Sequence, residues 1–395
     1  MLSPLCYNWA CPVSVTPSLR PAAADPGPPL RVGIVGCGKI ADAHAEVLTY
    51  LPGAKLVAVC DREILLGEQL ATRFAVPRFY ADLSDMLAAE KLDVVHITTP
   101  PGVHLQLSKQ SVEAGAHVFL EKPLTFTASE SAELIRIVEA AGKKLSVNYW
   151  PNFEPHMMEF KERFAAGEFG EPVHIEASIG YDLGGAYGQA LMSDPNHWVH
   201  RMPGKLFQNI MDHMFNRIVP FFGAGGPDGD PEVHAFGFKY RETVRNDSTD
   251  DLLDQLRVVL RSGRLSAYAT LASQAQPVGN TLKLYGTKAT VEVDFNLRTV
   301  ITTGSQRYPS SLGRLFPPFQ QAMKYLRQGR SNVRAFRQYR FHYFQGMTEL
   351  LTQFYSAVRT GGPLPISYEE ILATGRIMDT VNAQVYPPSD KGGPA

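Results

Sequence analysis

Strand-like apolar runs alternate with segments of helical spacing through the first part of the chain. Leu30–Val35 is a short apolar run, and Lys39–Tyr50 places its apolar residues at the spacing of one helix face. The alternation continues through Leu56–Val59, Glu63–Phe74, Asp93–Ile97, Val103–Glu113, His117–Leu120, Ser129–Ala141 and Leu145–Val147. Such alternation forms right-handed βαβ units with helices on both faces of a parallel sheet. The pattern therefore predicts an α/β domain over residues 30–149.

Beyond residue 150 the predicted strands become longer, and several alternate polar and apolar residues, as Thr290–Asp294 does. Alternation of this kind is typical of an antiparallel sheet with one wet face. Ser367 and Glu370 have the spacing of a helix capping box. We therefore expect residues 150–395 to form an α+β substrate and oligomerisation domain with a large, open, mostly antiparallel sheet. Its final helix, near 368–383, should pack back toward the first domain. The elements on which this rests are Val173–Ser178, Glu232–Phe238, Leu252–Leu260, Leu265–Leu271, Thr281–Gly286, Ala289–Asp294, Tyr343–Arg359 and Tyr368–Ala383.

Length and charge narrow the function classes only a little. A chain of 395 residues has room for two domains, and its net charge of −1 gives no reason to expect nucleic acid as a partner. The four cysteines have no metal-ligand spacing, so we expect no metal and a reducing, cytoplasmic location. Residues 1–29 contain neither a charged region followed by a long apolar run nor a membrane span, and we interpret them as a disordered leader.

A glycine-rich loop follows the first predicted strand and opens the first predicted helix. Its GxGxxA pattern starts at Gly36 and ends at Ala41. A glycine match alone is weak evidence, since glycines also mark ordinary turns, but a strand before it and a helix after it are the context of a dinucleotide site. The first glycine allows the tight turn and the second lets the backbone approach a diphosphate. The loop residues assigned to the cofactor are Gly36, Cys37, Gly38, Lys39 and Ile40.

The next predicted strand ends at Asp61, 25 positions beyond Gly36. An acid near that interval accepts hydrogen bonds from ribose hydroxyls and repels the 2′-phosphate of NADP, which favours NAD. The neighbouring Arg62 could pair with that phosphate, so NADP stays open as the alternative. A solvated loop acid is the structural alternative for Asp61.

A second turn, Thr98–Pro101, follows the predicted strand Asp93–Ile97 and should lie at the carboxyl edge of the sheet, where open α/β folds bind ligands. It could equally be a loop that starts a helix with proline in its first turn. We assign Thr98, Thr99 and Pro100 to the cofactor site. His104 is a weaker candidate, because a single histidine on a helix is more often structural.

The predicted strand His117–Leu120 leads directly into Glu121, Lys122 and Pro123. A lysine at the end of a buried strand inside the cofactor crevice is a candidate acid–base group. The alternative is a Glu–Lys turn on the surface. Glu121, Lys122 and Asn148, the last of which follows the strand Leu145–Val147, complete the predicted cofactor contacts.

Taken together, the loop GIVGCGKIADAH, the strand end at Asp61, the turn TTPP and the tripeptide EKP resemble the glucose–fructose oxidoreductase/inositol dehydrogenase (Gfo/Idh/MocA) family. The order of elements agrees with that family from about residue 31 to 385. The resemblance implies a Rossmann domain, a second domain with an open sheet that often makes oligomer contacts, NAD(P), and a sugar, cyclitol or nucleotide-sugar substrate. It also implies a cis bond between Lys122 and Pro123.

The same resemblance places catalytic residues, with three departures. Lys122 matches the family lysine, Trp198 its tryptophan and His213 its histidine, whereas Asn209 stands where the family commonly has aspartate. An amide cannot accept a proton as a carboxylate does. Asp212 could compensate, although neighbours on a helix point about 100° apart. The paired glycines of the family are reduced to Gly204-Lys205, and Asn152 replaces a common arginine.

These residues together predict an NAD-dependent dehydrogenase in which Lys122 and His213 act on the reacting oxygen. Asn209 is counted with them as a catalytic residue. Asn209, Trp198 and Tyr181, the last in a loop that could face the nicotinamide, are also predicted to contact the substrate. Two alternatives stay open: a non-catalytic NAD-sensing or scaffold protein, and a glycosidase that oxidises its sugar transiently. The resemblance also leads us to expect a homodimer or homotetramer.

A basic, aromatic-rich segment lies between Asp294 and Glu349, an interval without any acidic residue. Within it Leu315, Phe319, Met323 and Leu326 have helical spacing. It could be a solvated face or oligomer contact, a pocket for a substrate anion, or, over residues 312–341, a peripheral membrane helix. The basic residues are Arg298, Arg307, Arg314, Lys324, Arg327, Arg330, Arg334, Arg337 and Arg340.

Overall fold

A computed structural model describes residues 27–194, 196–222, 230–240, 252–304, 309, 312–338 and 344–387. The leader predicted for residues 1–29 lies outside these ranges up to residue 26. The strands are β1 (Leu30–Val35), β2 (Ala54–Cys60), β3 (Arg78–Tyr80), β4 (Val94–Ile97), β5 (His117–Leu120), β6 (Leu145–Val147), β7 (Pro172–Ile179), β8 (Glu232–Phe238), β9 (Gln255–Ser262), β10 (Leu265–Ala272), β11 (Asn280–Gly286), β12 (Ala289–Asp294) and β13 (Thr299–Gly304). The helices are α1 (Lys39–Tyr50), α2 (Ile64–Arg73), α3 (Leu83–Ala89), α4 (His104–Glu113), α5 (Ala128–Ala140), α6 (Pro155–Ala165), α7 (Ala186–Ser193), α8 (Lys205–Ile210), α9 (Asp212–Phe222), α10 (Leu312–Leu315), α11 (Pro317–Arg337), α12 (Gln345–Thr360) and α13 (Tyr368–Val385).

The first sheet has six parallel strands in the order β3-β2-β1-β4-β5-β6. The chain moves outward from β1 in one direction and then from β4 in the other, so a crevice opens at the carboxyl ends of β1 and β4. Residues along β4 and β5 are almost all buried, as expected for a sheet with helices on both faces. The predicted Rossmann architecture is confirmed.

The second sheet has seven strands in the order β13-β12-β11-β7-β10-β9-β8. All neighbours are antiparallel except β7 and β10, which run parallel. In β11, for example, Leu282 and Leu284 are fully buried while Lys283 between them points to the other, wet face. Helices α8 and α9 pack on the inner face through residues such as Phe207, Phe215 and Ile218. The predicted open, mostly antiparallel sheet is confirmed.

The last two helices, α12 and α13, pack against elements of the first sheet and of the second sheet. Helix α12 buries Leu350 and Phe354 in the hydrophobic core of the first sheet. Helix α13 packs on α9 and β8 and also reaches α5, where the Asp379 carboxylate accepts a hydrogen bond from the Ala128 amide at 2.8 Å. Ser367 and Glu370 form the capping box at its start. Among the described residues, no helix is both long and apolar enough to cross a bilayer.

Several elements escaped prediction, and in three of them the apolar signal is short. Strand β3 has only three residues, and α3 has two buried residues, Leu83 and Met86. Strand β13 ends in exposed threonine and glycine at the edge of the second sheet. Edge elements bury little apolar area, so the sequence pattern that would mark them is weak.

Candidate active site

The glycine loop between β1 and α1 forms a turn that only glycine fits. Gly36 has φ +91°, and a Cβ there would lie 2.7 Å from the Thr99 amide nitrogen. Gly38 differs, because a Cβ built on it would meet nothing within 4 Å. The outside of the loop is thus open, and α1 begins directly after Gly38 without a side-chain cap. Helix amides without intrahelical acceptors next to open space fit a diphosphate.

Asp61 lies at the carboxyl end of β2 and is tied to the glycine loop. Its Oδ2 accepts a hydrogen bond from the Cys37 amide at 2.5 Å, and its Oδ1 accepts one from the Glu63 amide at 2.8 Å. A carboxylate has about four lone-pair sites, so two amides leave room for ribose hydroxyls. Arg62 beside it is exposed, as is Lys39 at the start of α1.

The turn after β4 closes the other side of the crevice. Thr98 Oγ1 donates to the Gly36 carbonyl at 2.5 Å, which joins the two loops. Thr99 is partly exposed and Pro100 is exposed. His104 is fully buried, and its ring nitrogens lie 2.8 Å from the Thr99 carbonyl and 3.0 Å from the Leu124 carbonyl. We therefore expect His104 to affect a cofactor only through the loops that it holds.

Lys122 follows β5 at the same sheet edge and reaches across to the second layer. Its Nζ donates to the Asn209 backbone carbonyl at 2.6 Å and to Asn209 Oδ1 at 3.2 Å. The Lys122–Pro123 peptide bond is cis, as the resemblance implies. Asn209 is buried in α8, so the lysine head group is held between the parallel sheet and the helical layer of the second sheet.

Glu121 heads a buried hydrogen-bond chain behind Lys122. Glu121 Oε1 lies 2.9 Å from His44 Nε2 and 2.6 Å from Asn148 Nδ2. His44 Nδ1 lies 2.9 Å from His96 Nδ1, and His96 Nε2 lies 2.9 Å from the Tyr355 hydroxyl. Burial alone would raise the pKa of Glu121. The pKa nevertheless lies below its usual value, because His44, Asn148 and the charge of Lys122 favour the carboxylate.

With Glu121 ionised and His44 neutral, one set of tautomers satisfies the whole chain. His44 donates from Nε2 to Glu121 and accepts at Nδ1 from His96, whose Nε2 then accepts from Tyr355. Burial and the neighbouring His44 hold the pKa of His96 well below its usual value, so His96 stays neutral. The chain fixes the Glu121 carboxylate and, through it, the backbone that carries Lys122.

Asp212 and His213 begin α9 next to Lys122. Burial raises the pKa of Asp212 to about 6, although the charge of Lys122 opposes the shift. Burial, together with the charges of Lys122 and Arg217, holds the pKa of His213 well below its usual value. His213 is therefore neutral near pH 7, and its ring has one nitrogen that donates a hydrogen bond and one that accepts. Asn152, where many family members have arginine, donates through Nδ2 to Asn216 Oδ1 at 3.1 Å on the same helix.

Several polar atoms on this side of the site have no hydrogen-bond partner within the described ranges. They are both carboxylate oxygens of Asp212, His213 Nδ1, Asn152 Oδ1 and Arg217 Nε. Arg217 is 1% exposed, donates to Asn280 Oδ1 at 2.7 Å and stacks 3.6 Å from the Phe295 ring centre. Buried polar atoms without partners are uncommon, and a polar ligand or water is the usual partner they lack.

The loop predicted to face the substrate lies partly within the described residues. Tyr181 and Trp198 are both partly exposed, and Trp198 packs beside His197 at 5.5 Å between ring centres. Lys205, where the family has glycine, has φ +47°, so the backbone keeps a conformation that favours glycine. A Cβ on Gly204 would lie 2.0 Å from Asn382 Oδ1, which explains the glycine retained there.

The prediction missed His44, His96 and Tyr355, which come from α1, β4 and α12. One signal was present for His44. It shares the apolar face of α1 with Ala41, Ala45 and Leu48, a polar residue in the middle of a buried stripe. A buried histidine needs a partner, but its partners lie 52 and 77 residues further along the chain.

Comparison with known proteins agrees with this geometry. Residues 30–149 match the family model described as an oxidoreductase family with an NAD-binding Rossmann fold. The chain is 30% identical over 266 residues to trans-1,2-dihydrobenzene-1,2-diol dehydrogenase of Mus musculus, covering 67% of this chain and 74% of that protein. It is 32% identical over 148 residues to scyllo-inositol 2-dehydrogenase (NAD(+)) of Bacillus subtilis, 37% of this chain and 43% of that one.

Among solved structures, the WlbA dehydrogenase of Bordetella pertussis in complex with NADH and UDP-GlcNAcA superposes with a TM-score of 0.70 at 17% identity. The superposition covers 91% of this chain and 96% of that one, so the shared fold extends over both sheets. The glycine turn, the lysine after β5 and these matches lead to one conclusion: the chain belongs to the Gfo/Idh/MocA family of NAD-binding oxidoreductases.

Proposed function

We propose that this dehydrogenase transfers a hydride between NAD and a hydroxyl or carbonyl carbon of a small polyhydroxylated substrate, of the sugar, cyclitol or nucleotide-sugar class. When bound, NAD supplies the hydride acceptor or donor at nicotinamide C4. The observation that carries the proposal is the position of Lys122. It follows β5 at the edge of the nucleotide-binding sheet, yet its ammonium is bonded to Asn209 of the second layer.

Lys122 is suited to hold a proton at the reacting oxygen. An ammonium has three N–H donors, and Asn209 accepts two of them, through its carbonyl and its side-chain oxygen. The third is available for a substrate oxygen. Asn209 therefore serves as a positioning group in our proposal, a role that an amide oxygen fills without accepting the proton itself.

His213 is the second group proposed to act on that oxygen. It is neutral, and its Nδ1 has no partner among the described residues. In oxidation the member of the Lys122–His213 pair that is unprotonated accepts the hydroxyl proton, while the other member donates a hydrogen bond to the oxygen. In reduction the same pair returns the proton, and proton transfer of this kind contributes about 10²–10⁴-fold to the rate.

The substrate class is supported by the unpaired groups around Asp212 and by the relatives. A molecule with several adjacent hydroxyls both donates and accepts hydrogen bonds, and so matches the Asp212 oxygens, Asn152 Oδ1 and His213 Nδ1. We propose that Tyr181 and Trp198 line the outer part of this substrate site. The names of the relatives point the same way, since they include an inositol and a dihydrobenzenediol dehydrogenase.

The test is a panel of polyols, sugars, inositols and UDP-sugars incubated with purified protein and NAD or NADP, with reduced nicotinamide measured by absorbance. We expect one class to give turnover, faster with NAD because Asp61 lies at the ribose end of β2. Tight NAD binding without turnover on any substrate would leave an NAD-sensing protein. Glycoside hydrolysis without net NADH would leave a glycosidase that uses NAD transiently.

We also propose a homo-oligomer formed through the wet face of the second sheet. That face exposes Phe236, Phe238, Val259 and Tyr268 on three neighbouring strands, β8, β9 and β10. Contiguous exposed apolar side chains mark interaction surfaces. Sedimentation equilibrium should give a dimer or tetramer, and Tyr268→Glu should shift it toward the monomer. A monomeric wild-type protein at micromolar concentration would exclude the proposal.

A further inference from the structure

Helices α10 and α11 form a basic surface arm on the second domain. Over residues 312–338 the arm carries six basic residues and no acidic one, and none of its residues is buried. A 21-residue helix without any buried residue has no core contact to stabilise it. The dehydrogenase chemistry uses none of its side chains, so the arm requires a separate explanation.

The arm contacts the sheet through its polar side. Gln321 Nε2 donates to Thr303 Oγ1 at 2.6 Å, and Asn332 Nδ2 donates to the Leu297 carbonyl at 2.9 Å. Lys324 donates to the Thr302 carbonyl. These three residues lie on one side of α11, and their side chains meet the edge strand β13 and the turn before it.

The apolar side of the arm points the other way, to solvent. Phe316, Phe319, Met323 and Leu326 repeat at intervals of three and four residues and are all exposed. Phe319 is 66% exposed. An amphipathic helix normally turns its apolar side inward, so this reversed orientation leaves an apolar face that a partner should cover.

The same outward face becomes basic in the second half of α11. Arg327, Arg330, Arg334 and Arg337 are all exposed and repeat at the same three- and four-residue intervals. A second copy would bring like charges together, with no carboxylate between residues 312 and 338 to compensate. Apolar anchors beside arginines on one exposed helix face instead suit a lipid interface, where arginines reach phosphates and the apolar residues enter the acyl boundary.

We propose that the α10–α11 arm binds the surface of an anionic lipid bilayer. Phe316, Phe319, Met323 and Leu326 insert at the headgroup boundary, and Arg327, Arg330, Arg334 and Arg337 pair with lipid phosphates. The helix lies along the membrane and does not cross it. The opposite polar side keeps the catalytic domains attached through β13.

The test is flotation of the full-length protein with vesicles of phosphatidylcholine alone or mixed with phosphatidylglycerol. We expect flotation with the anionic vesicles only, and its loss at high salt, which shortens the range of the charge attraction. Arg330→Gln/Arg334→Gln should weaken partitioning by about fivefold per arginine. The matched control Arg261→Gln/Arg264→Gln, at the exposed turn between β9 and β10, should not.

A second matched pair tests the apolar anchor. Phe319→Ser should reduce flotation several-fold, whereas Leu65→Ser, at 66% exposure on α2, should not. Circular dichroism and sedimentation analysis of each variant separate a lipid effect from misfolding or altered assembly. Absence of flotation at low salt overturns the proposal, as does flotation that survives both arm variants. If the protein does not bind vesicles and Phe319→Ser abolishes dimerisation, the face binds a second copy of the chain. If the protein does not float but is captured by polyglutamate, the face binds an acidic protein.

Discussion

The two halves of the crevice meet a ligand in different ways. On the nucleotide side, the polar groups of Asp61, Thr98 and Glu121 are bonded within the protein, and the loop presents backbone amides and open space. On the substrate side, Asp212 and His213 leave buried polar atoms unpaired. Among the described residues, Thr99 Oγ1 and Asn148 Oδ1 are also unpaired on the nucleotide side. The fold thus satisfies most of these polar groups on the nucleotide side, whereas the substrate side keeps more unmet hydrogen-bonding capacity.

The largest expected effect comes from the lysine that joins the two halves. Lys122→Met should lower turnover by about 10²–10⁴-fold, because the variant loses the proton carrier and a substrate contact. The dissociation constant for NAD should change by no more than about twofold, since we assign the main contacts with the dinucleotide to the loop amides and Asp61. Steady-state kinetics and calorimetry measure the two quantities. Lys55→Met, on an exposed residue of β2, is the matched control, and wild-type turnover in Lys122→Met would remove the lysine from the mechanism.

Two glycines in one loop sharpen the distinction between folding and binding. Gly36→Ala should lower thermal stability and abolish NAD binding, because the left-handed φ costs about 1–2 kcal/mol and the methyl group meets Thr99. Gly38→Ala should leave stability unchanged, since nothing lies within 4 Å, yet weaken NAD binding by about tenfold by hindering one amide contact. Equal behaviour of the two variants in thermal melts would contradict the open space assigned to Gly38.

Replacing Asp212 should raise the stability of the protein while lowering its activity. Burial raises the pKa of Asp212 to about 6. The side chain therefore contributes most to the free energy of unfolding at low pH, and this contribution is lost as the pH rises through 6. Asp212→Asn should therefore be more stable than wild type at pH 8, by up to about 3 kcal/mol, with little gain near pH 4. Turnover should fall roughly tenfold as Lys122 and the substrate lose a carboxylate. Urea unfolding at both pH values measures the stability difference, with Asp85→Asn, at an exposed position, as control. An Asp212→Asn variant less stable than wild type at pH 8 would contradict the prediction.

The smallest effect on turnover is expected far behind the site. Tyr355→Phe removes the hydroxyl that bonds His96 Nε2 and leaves that nitrogen buried without a partner. Stability should fall by about 1–3 kcal/mol. Turnover should stay within about twofold, because the remaining chain from His96 to Glu121 still holds the carboxylate. A drop in turnover as large as that of Lys122→Met would mean that the buried chain acts directly in the chemistry.

Much of the nucleotide side could be predicted from sequence because its determinants are local. Gly36, Gly38 and Asp61 belong to one βαβ unit, and the periodicity that defines β1 and α1 also fixes where the loop lies. Lys122 needed only the end of β5 and the rule that ligands bind at the carboxyl edge of a parallel sheet. The nucleotide loop and Lys122 each lie in a short stretch of sequence whose geometry the backbone determines.

The rest of the site required contacts between distant parts of the chain. His96 and Tyr355 are separated by 259 positions, and nothing in the local pattern of either residue indicates the other. Asp212 was considered, but its burial beside Lys122 depends on how α9 packs against the first domain. Likewise the apolar period of α11 could be read from sequence, whereas the reversal of its polar and apolar sides could not. That reversal depends on which side meets β13.

The most direct test of the account is a crystal structure with NAD and a non-reacting analogue of the best substrate from the panel. We expect one oxygen of the analogue within about 3 Å of both Lys122 Nζ and a ring nitrogen of His213. Asp212 and Asn152 should accept hydrogen bonds from its other hydroxyls. An analogue bound elsewhere, with Lys122 still directed only at Asn209, would contradict the assignment of this pair to the reacting oxygen.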